Sequence, residues 1–371
     1  MELISSQAPG LENDHVIRWK QSGRSIVGYT CVATPTEIIE AGGLLPYRIR
    51  ALGNGNTEIA DAHLSRFNCS FCRSCLQLGL DGSYDFLDGI IETNGCDHLR
   101  GMIENWVYQR RPRFFHYLKV PHLGDSASIE YFVEEIKIYK KAIEEFVGRS
   151  ISDQQIWEQI GRQDRISDKI RTIYRIREGE KPSITGAETL ALFLLATAMP
   201  ANDAENTLQR AIDDCKDRAL DGYKARLLLG GSATDEVDFV AMIERLGGLV
   251  VTDTLCYGAR AFRPRLLEGK RTDPYLTLAN GYLENLLCPR MIDGFRSRLS
   301  FLLDAIERAA VDGVVLVHNK FCDLHGIDNV QLRLALERES IPVLQIEKEY
   351  GARADIGRLK TRIQAFLERI G

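Results

Sequence analysis

Two separate runs of short apolar segments, each segment followed by residues of helical periodicity, constrain this chain more than any other feature. In the first run, Ser25 to Val32 and Pro46 to Leu52 read as strands, with a helix from Pro35 to Ala41 between them that Gly42 and Gly43 end. Strands at Gly89 to Thr93 and Phe114 to Val120 follow. The second run places strands at Arg226 to Leu229, Leu249 to Thr254, Val314 to His318 and Val343 to Ile346. Helices fall between these, at Thr234 to Leu246, Pro274 to Leu287, Pro289 to Ala310 and Val330 to Arg338, and Ile356 to Ile370 closes the chain. Strands that are apolar throughout and alternate with helices imply parallel sheets covered on both faces.

Between the two runs the pattern is helical. Ile129, Phe132, Val133, Ile136, Tyr139, Ile143, Phe146 and Val147 recur at three- and four-residue spacing. Ser152 to Arg177 and Gly186 to Met199 read as further helices, parted by the turn Lys181-Pro182-Ser183. With 371 residues the chain exceeds what one growing core accommodates. The expected organisation is an α/β lobe over residues 1–125, a helical segment over 126–222 and a second α/β lobe over 223–371, both lobes doubly wound.

Composition narrows the function. Hydrophobic residues make up 44% and charged residues 27%, and the formal charge is -5 with no long basic block, which argues against a nucleic-acid partner. The polar N-terminus from Met1 to Lys20 lacks the pattern of a secretory signal, and the longest apolar run, Leu190 to Met199, is too short to span a bilayer. A cytoplasmic protein without a membrane partner is expected. Nine cysteines in such a chain point to metal rather than to disulfides.

In doubly wound sheets, ligands bind beyond the carboxyl ends of the strands. Cys96 follows the strand ending at Thr93, Cys322 follows the strand ending at His318, and Cys69 opens C-S-F-C-R-S-C-L after a polar stretch. Thiolates from the two lobes meeting in a cleft suit an iron–sulfur cluster or zinc. A rival set is Cys69, Cys72 and Cys75, whose C-x2-C-x2-C spacing matches ferredoxins, with Cys288-Pro289 as its fourth member. That run also reads as the first turns of a helix leading to Leu78. Cys31, Cys215 and Cys256 read as packing residues.

Other candidates are weaker. His98 and His325 lie two and three residues from proposed ligands, as proton donors, as hydrogen-bond partners of a cluster or as capping residues. Asp97 and Asp323 read as helix caps, and Glu37 as a carboxylate in a first helical turn. Leu229-Gly230-Gly231-Ser232 offers amides to a phosphate but lacks the Walker lysine.

The segment Gly28 to Arg48, the run C-S-F-C-R-S-C-L, F-L-D-G-I-I from Phe86, C-D-H from Cys96, F-C-D-L-H from Phe321 and T-R-I-Q-A-F-L-E from Thr361 together resemble the benzoyl-CoA reductase and 2-hydroxyacyl-CoA dehydratase family. The likeness spans nearly the whole chain. It implies two flavodoxin-like lobes plus helices, with a 4Fe-4S cluster, or a larger double-cubane cluster, held between the lobes. It assigns the ligands to Cys69, Cys96 and Cys322, leaving Cys72 and Cys75 as extras that this chain adds to the plainer family pattern. It further implies a paralogous second subunit, an ATP-hydrolysing iron–sulfur activator that delivers electrons, and an acyl-CoA thioester substrate. One branch of the family reduces the ring of an aryl-CoA, and the other eliminates water from a 2-hydroxyacyl-CoA through a ketyl radical. R-E-G-E-K-P at Arg177 to Pro182 and F-C-D-L-H lean toward the reductase branch, which makes aryl-CoA reduction the expected activity.

Overall fold

The computed structural model describes residues 5–261, 266–267, 273–351 and 355–371; the first four residues of the N-terminal stretch considered above lie outside them. Helix α1 (Asp14–Gln21) precedes the first lobe and is capped by Asn13, whose side chain accepts from the amides of His15 and Val16. The first sheet comprises β1 (Ile26–Tyr29), β2 (Leu45–Arg48), β3 (Gly89–Thr93) and β4 (Phe114–Leu118), parallel throughout in the order β2-β1-β3-β4. Helices α2 (Thr36–Ala41), α3 (Ser70–Leu80) and α4 (Asp97–Arg110) connect them. The second sheet repeats the plan: β5 (Ala225–Gly231), β6 (Gly248–Asp253), β7 (Gly313–Asn319) and β8 (Val343–Lys348) run parallel in the order β6-β5-β7-β8. This shared order is the first four strands of a flavodoxin-like doubly wound sheet, so the crevice above each switch point lies beside its central pair.

Between the sheets run α5 (Ser126–Val147), α6 (Asp153–Glu178), α7 (Gly186–Ala196) and α8 (Ala201–Asp214). Capping boxes start two of these helices: Ser152 with Gln155 on α6, and Thr185 with Glu188 on α7. The second lobe adds α9 (Val237–Arg245), α10 (Pro274–Leu283), α11 (Phe295–Arg308), α12 (Asp323–Arg338) and α13 (Ile356–Ile370).

The expected strands are all present, and the helix starts are where sequence and structure part. α9 begins at Val237 rather than Thr234 because the Asp235 carboxylate is engaged by the amides of Ala51 (2.7 Å) and Leu52 in the other lobe. α11 begins at Phe295 rather than Pro289, since residues 288–294 form turns that end at Gly294. α12 begins seven residues earlier than the apolar pattern from Val330 suggests. Glu37 stands in the first turn of α2 as expected, where it is fully buried and accepts a hydrogen bond from Tyr282 at 2.8 Å. The Gly-Gly-Ser turn is no phosphate loop: the Ser232 amide donates to Val317 O at 2.8 Å within the sheet region. Gly231 has φ +108°, and a Cβ there would stand 2.0 Å from Val317 O, so only glycine lets the chain leave β5 this way.

One core spans both lobes. Phe71 on α3 packs edge-on against Tyr257 and Tyr350 of the second lobe, with ring centroids 6.1 and 5.4 Å apart. The polar seam is equally direct. Ser70 donates its amide to Lys320 O, its hydroxyl accepts from the Tyr350 amide, Tyr350 Oη donates to Asp235, and Arg73 pairs with Glu349. The lobes therefore meet through buried, paired groups, beginning at residues close to Cys69 and Cys322. No helix among the described residues is long and apolar enough to cross a membrane.

Candidate functional site

The cleft has a volume of about 620 Å3, and Cys69, Cys96 and Cys322 all line it. Each of the three cysteines is the N-cap residue of a helix: Cys69 of α3, Cys96 of α4 and Cys322 of α12. Strands β3 and β7 end just short of the latter two, so the turn into the following helix delivers the thiol to the sheet's carboxyl edge. The Cys96 sulfur accepts the Leu99 amide at 3.4 Å, the bond that a serine or aspartate would make at such a position. Asp97 and Asp323 are thus first-turn residues rather than caps, with side chains 90% and 80% exposed.

The backbone before Cys322 is unusual. Phe321 has φ +64°, the left-handed region that non-glycine residues rarely enter, and its ring packs edge-on against Phe67 with centroids 5.5 Å apart. Asn319 fixes the approach, donating its amide to Ser232 Oγ at 3.0 Å and its side chain to Ala233 O at 2.7 Å. His318 Nε2 lies 3.1 Å from Cys322 O. A sterically costly turn held on three sides is pre-organisation of the residue it presents.

The thiols perturb one another. The Cys69 and Cys322 sulfurs hydrogen-bond, and Cys69 also contacts Cys72. The Cys322 thiol is raised far above the ordinary range, first by its hydrogen bond with Cys69 and then by burial. Burial pushes Cys96 up to about 12 against the opposing Leu99 amide, with Cys69 and Cys322 adding to the rise. Cys72 is lowered by its bond to Cys69 but raised more by burial and the surrounding thiols, reaching about 11. Among the described residues, no three His, Cys, Asp or Glu side chains converge on a single-ion site.

The remaining candidates separate. Cys75 is buried on α3 two turns beyond Cys69, facing Asp235. Cys288 packs near Cys31, Arg260 and Arg290 against a second hydrophobic cluster that includes Tyr29, Phe132 and Leu283, whereas Cys69, Cys72 and Cys75 belong to the core that spans the lobes, so the structure does not gather the ferredoxin-type quartet. His98 lines the cleft: its Nδ1 accepts the Cys69 amide at 3.1 Å and its Nε2 faces Asp323 Oδ2 at 3.4 Å. A backbone donor at Nδ1 fixes the tautomer with hydrogen on Nε2. His325 does not reach the cleft; it lines a separate small cavity with Arg260, Arg298 and Asp328, where burial and then these arginines push its pKa well below the usual value.

Several cleft residues carry no sequence signal. Arg290 is 4% exposed and clamps the carbonyls of Pro121, Val120 and Asn94, tying the turn after β4 to the one after β3. Tyr117, Arg100 and His122 complete the polar wall, with His122 Nδ1 3.0 Å from Arg290 O.

A family model described as 2-hydroxyglutaryl-CoA dehydratase, D-component, matches residues 31–370. The chain belongs to this family. Its relatives include a subunit of the benzoyl-CoA reductase of Thauera aromatica, 23% identical over 89% of this chain and 87% of that one. The (R)-phenyllactyl-CoA dehydratase beta subunit of Clostridium sporogenes is 24% identical over 94% and 92%. A putative dehydratase subunit, YjiM, of Escherichia coli (strain K12) is 27% identical over 95% and 93%. The D-component family thus covers both lobes and all three cleft cysteines of this chain, and its members bear reductase and dehydratase names at comparable distance.

Proposed function

We propose that this chain is the iron–sulfur subunit of an ATP-dependent aryl-CoA reductase, in which Cys69, Cys96 and Cys322 hold a 4Fe-4S cluster and low-potential electrons and protons are added to the ring of an aromatic acyl-CoA thioester. The observation that carries this reading is the convergence of three helix-capping thiols, contributed by both lobes, on one cleft. The donor set fits such a cluster: sulfur ligands suit iron, and three rather than four of them line the cleft. Helix N-termini favour the negative charge that ligated thiolates bring. When bound, a cluster with three protein ligands supplies one iron with an open position, able to polarise a thioester carbonyl and pass on an electron.

The protein's own residues then have defined tasks. His98 holds the Cys69 amide and so orients the first ligand. Arg290 fixes the two turns that form the cleft floor. Arg100, Tyr117 and His122 present donors to a polar substrate group. The relatives are named as subunits, which supports a paralogous second subunit as partner here, with an ATP-hydrolysing iron–sulfur activator as electron source.

A second reading, a 2-hydroxyacyl-CoA dehydratase subunit, is supported by the match to the phenyllactyl-CoA enzyme at the same level of identity as to the reductase. A third, a subunit that only carries electrons, is favoured by the contact of Cys72 with Cys69, which puts a fourth thiol within reach. Anaerobic purification with iron and sulfide analysis and electron paramagnetic resonance tests all three. The expected result is about four irons per chain, lost in Cys69→Ala, Cys96→Ala and Cys322→Ala and kept in Cys75→Ala. Loss in Cys72→Ala as well would favour the electron carrier. Zinc in place of iron, or a cluster that survives loss of both Cys96 and Cys322, would overturn the reading. Turnover of phenyllactyl-CoA with only catalytic ATP would select the dehydratase.

A further inference from the structure

Glu92 is the one titratable residue of β3, and the fold does not explain its place there. Its side chain is fully buried, and neither carboxylate oxygen has a hydrogen-bond partner. A carboxyl placed so in the middle of a parallel sheet is costly unless it serves as a neutral acid. Across the sheet it is in register with Tyr117, whose side chain lines the cleft. From α4 it is faced by Arg100, which also lines the cleft, and by Glu104. Arg100 hydrogen-bonds Tyr117, and its Nε lies 3.7 Å from Glu104 Oε1, whose side chain is 63% exposed. On the β1 side the next residue beyond the last pair, Thr30, has no titrating group. A buried acid therefore has beside it on β4 a phenol that lines the cleft, and is faced from α4 by the largely exposed carboxylate of Glu104.

We propose that Glu92 is a proton donor for the cleft, acting through Tyr117 and reloaded from solvent by way of Glu104. The inference rests on the reading that this cleft carries out a reaction in which protons follow low-potential electrons. In each transfer the Tyr117 O–H bond breaks as its proton passes to the substrate. The Glu92 O–H proton then moves to the phenolate oxygen, and water protonates the carboxylate through Glu104. The electrons come from the ATP-dependent reductant, so no member of the relay is oxidised or reduced. Burial, with Glu104 adding and Arg100 opposing, raises Glu92 to about 8, which keeps the acid form available at neutral pH.

Glu92→Gln keeps shape while removing the proton, and Tyr117→Phe interrupts the chain of oxygens. Infrared spectra of the metal-free wild type, minus Glu92→Gln, are expected to show a protonated-carboxyl band at pH 7 that fades above about pH 8. In the cluster-loaded complex, each variant is expected to lower kcat at least tenfold with iron content unchanged, and Glu92→Gln, which does not touch the cleft, to leave KM unchanged as well. The double variant is no worse than either single one, because the groups act in series. Wild-type kcat falls as pH rises past about 8, and that fall is absent from Glu92→Gln. If Glu92→Gln does not fold, Tyr117→Phe alone carries the test. No carboxyl band at pH 7, or turnover within twofold of wild type in either variant, overturns the relay. A wild type that holds iron but turns over no acyl-CoA thioester overturns the functional reading instead, and the proton would then have no use there.

Discussion

Replacing His98 separates a positioning role from a catalytic one. The imidazole accepts the amide of Cys69, a residue only 6% exposed, and its other nitrogen faces an aspartate that is 80% exposed. These two contacts differ in worth. Stranding a buried amide costs about 1–3 kcal/mol, whereas a long contact to a solvated carboxylate contributes about 0–1 kcal/mol and is screened by salt. His98→Ala is therefore expected to destabilise the metal-free protein by about 2 kcal/mol, and Asp323→Asn by less than about 0.5 kcal/mol. His98→Asn puts an oxygen near the place of Nδ1 and should recover at least half of the loss. Urea unfolding followed by circular dichroism measures all three. If asparagine is no better than alanine, or if Asp323→Asn costs as much as His98→Ala, the amide bond is not what His98 supplies and the argument fails. Should His98→Asn fold like wild type and keep its iron yet lose turnover, His98 is a proton donor rather than a positioning residue.

Arg177, 1% exposed, donates to Asp253 Oδ2 and to Val251 O at 2.8 Å, joining α6 to the second sheet. Arg177→Met should cost about 3–5 kcal/mol in urea unfolding by leaving Asp253 charged and buried, and adding Asp253→Asn should restore part of it. Glu40, whose carboxylate accepts from Gln163, is raised by burial to about 7. The folded state then binds a proton that the unfolded state has released, so stability is lost as pH rises from the ordinary carboxylate range through about 7. Glu40→Gln should flatten that slope and stabilise the protein by about 3 kcal/mol at pH 8; an unchanged slope would refute it. In metal-free protein at pH 7, iodoacetamide should label Cys96 at least about a hundredfold more slowly than free cysteine, accelerating with pH; rapid labelling at pH 7 would show that the thiol is not raised.

The parallel sheets were legible because strands buried on both faces must be apolar throughout: β1 and β3 have no exposed residue, and the pattern announces them. Two of the cleft cysteines were legible for a related reason, since strand ends in this topology are where ligands go, and Cys96 and Cys322 closely follow such ends, whereas Cys69 was marked by the cysteine run it opens. What remained hidden depends on contacts between distant residues. The start of α12 was missed because its first turns, D-L-H-G-I-D-N, are polar, and they are polar because His325, Asp328 and Asn329 are buried against Arg298 and β7. The late start of α9 follows from Asp235 capping amides 184 residues away. Arg290 looks like any surface arginine after a proline until its three carbonyl partners converge. Glu92 is invisible in the sequence because one acidic residue among apolar neighbours reads as the solvated end of a strand. His98 and His325 are nearly alike in sequence, each close behind a cysteine. Only the packing distinguishes them, His98 on the cleft and His325 on α12 facing a separate small cavity.

The position of the thiols at three helix N-termini raises the question of which effect governs their protonation. A helix end stabilises a negative charge by about 0.3–1 kcal/mol at an exposed site and about 2 kcal/mol in favourable buried geometry, which corresponds to about one pH unit or slightly more. Cys96 is displaced upward from 9.0 to about 12, so burial and the neighbouring thiols prevail over the dipole and the Leu99 amide in the metal-free protein. The architecture therefore opposes three bare thiolates in this cleft. Were the proposed cluster bound, its cations would offset the repulsion among the thiolates, and the helix ends, otherwise outweighed, would favour the net negative charge of the ligand set. Its loading would expel protons from all three thiols, so under the proposed reading iron uptake should rise steeply with pH, and uptake independent of pH would refute it.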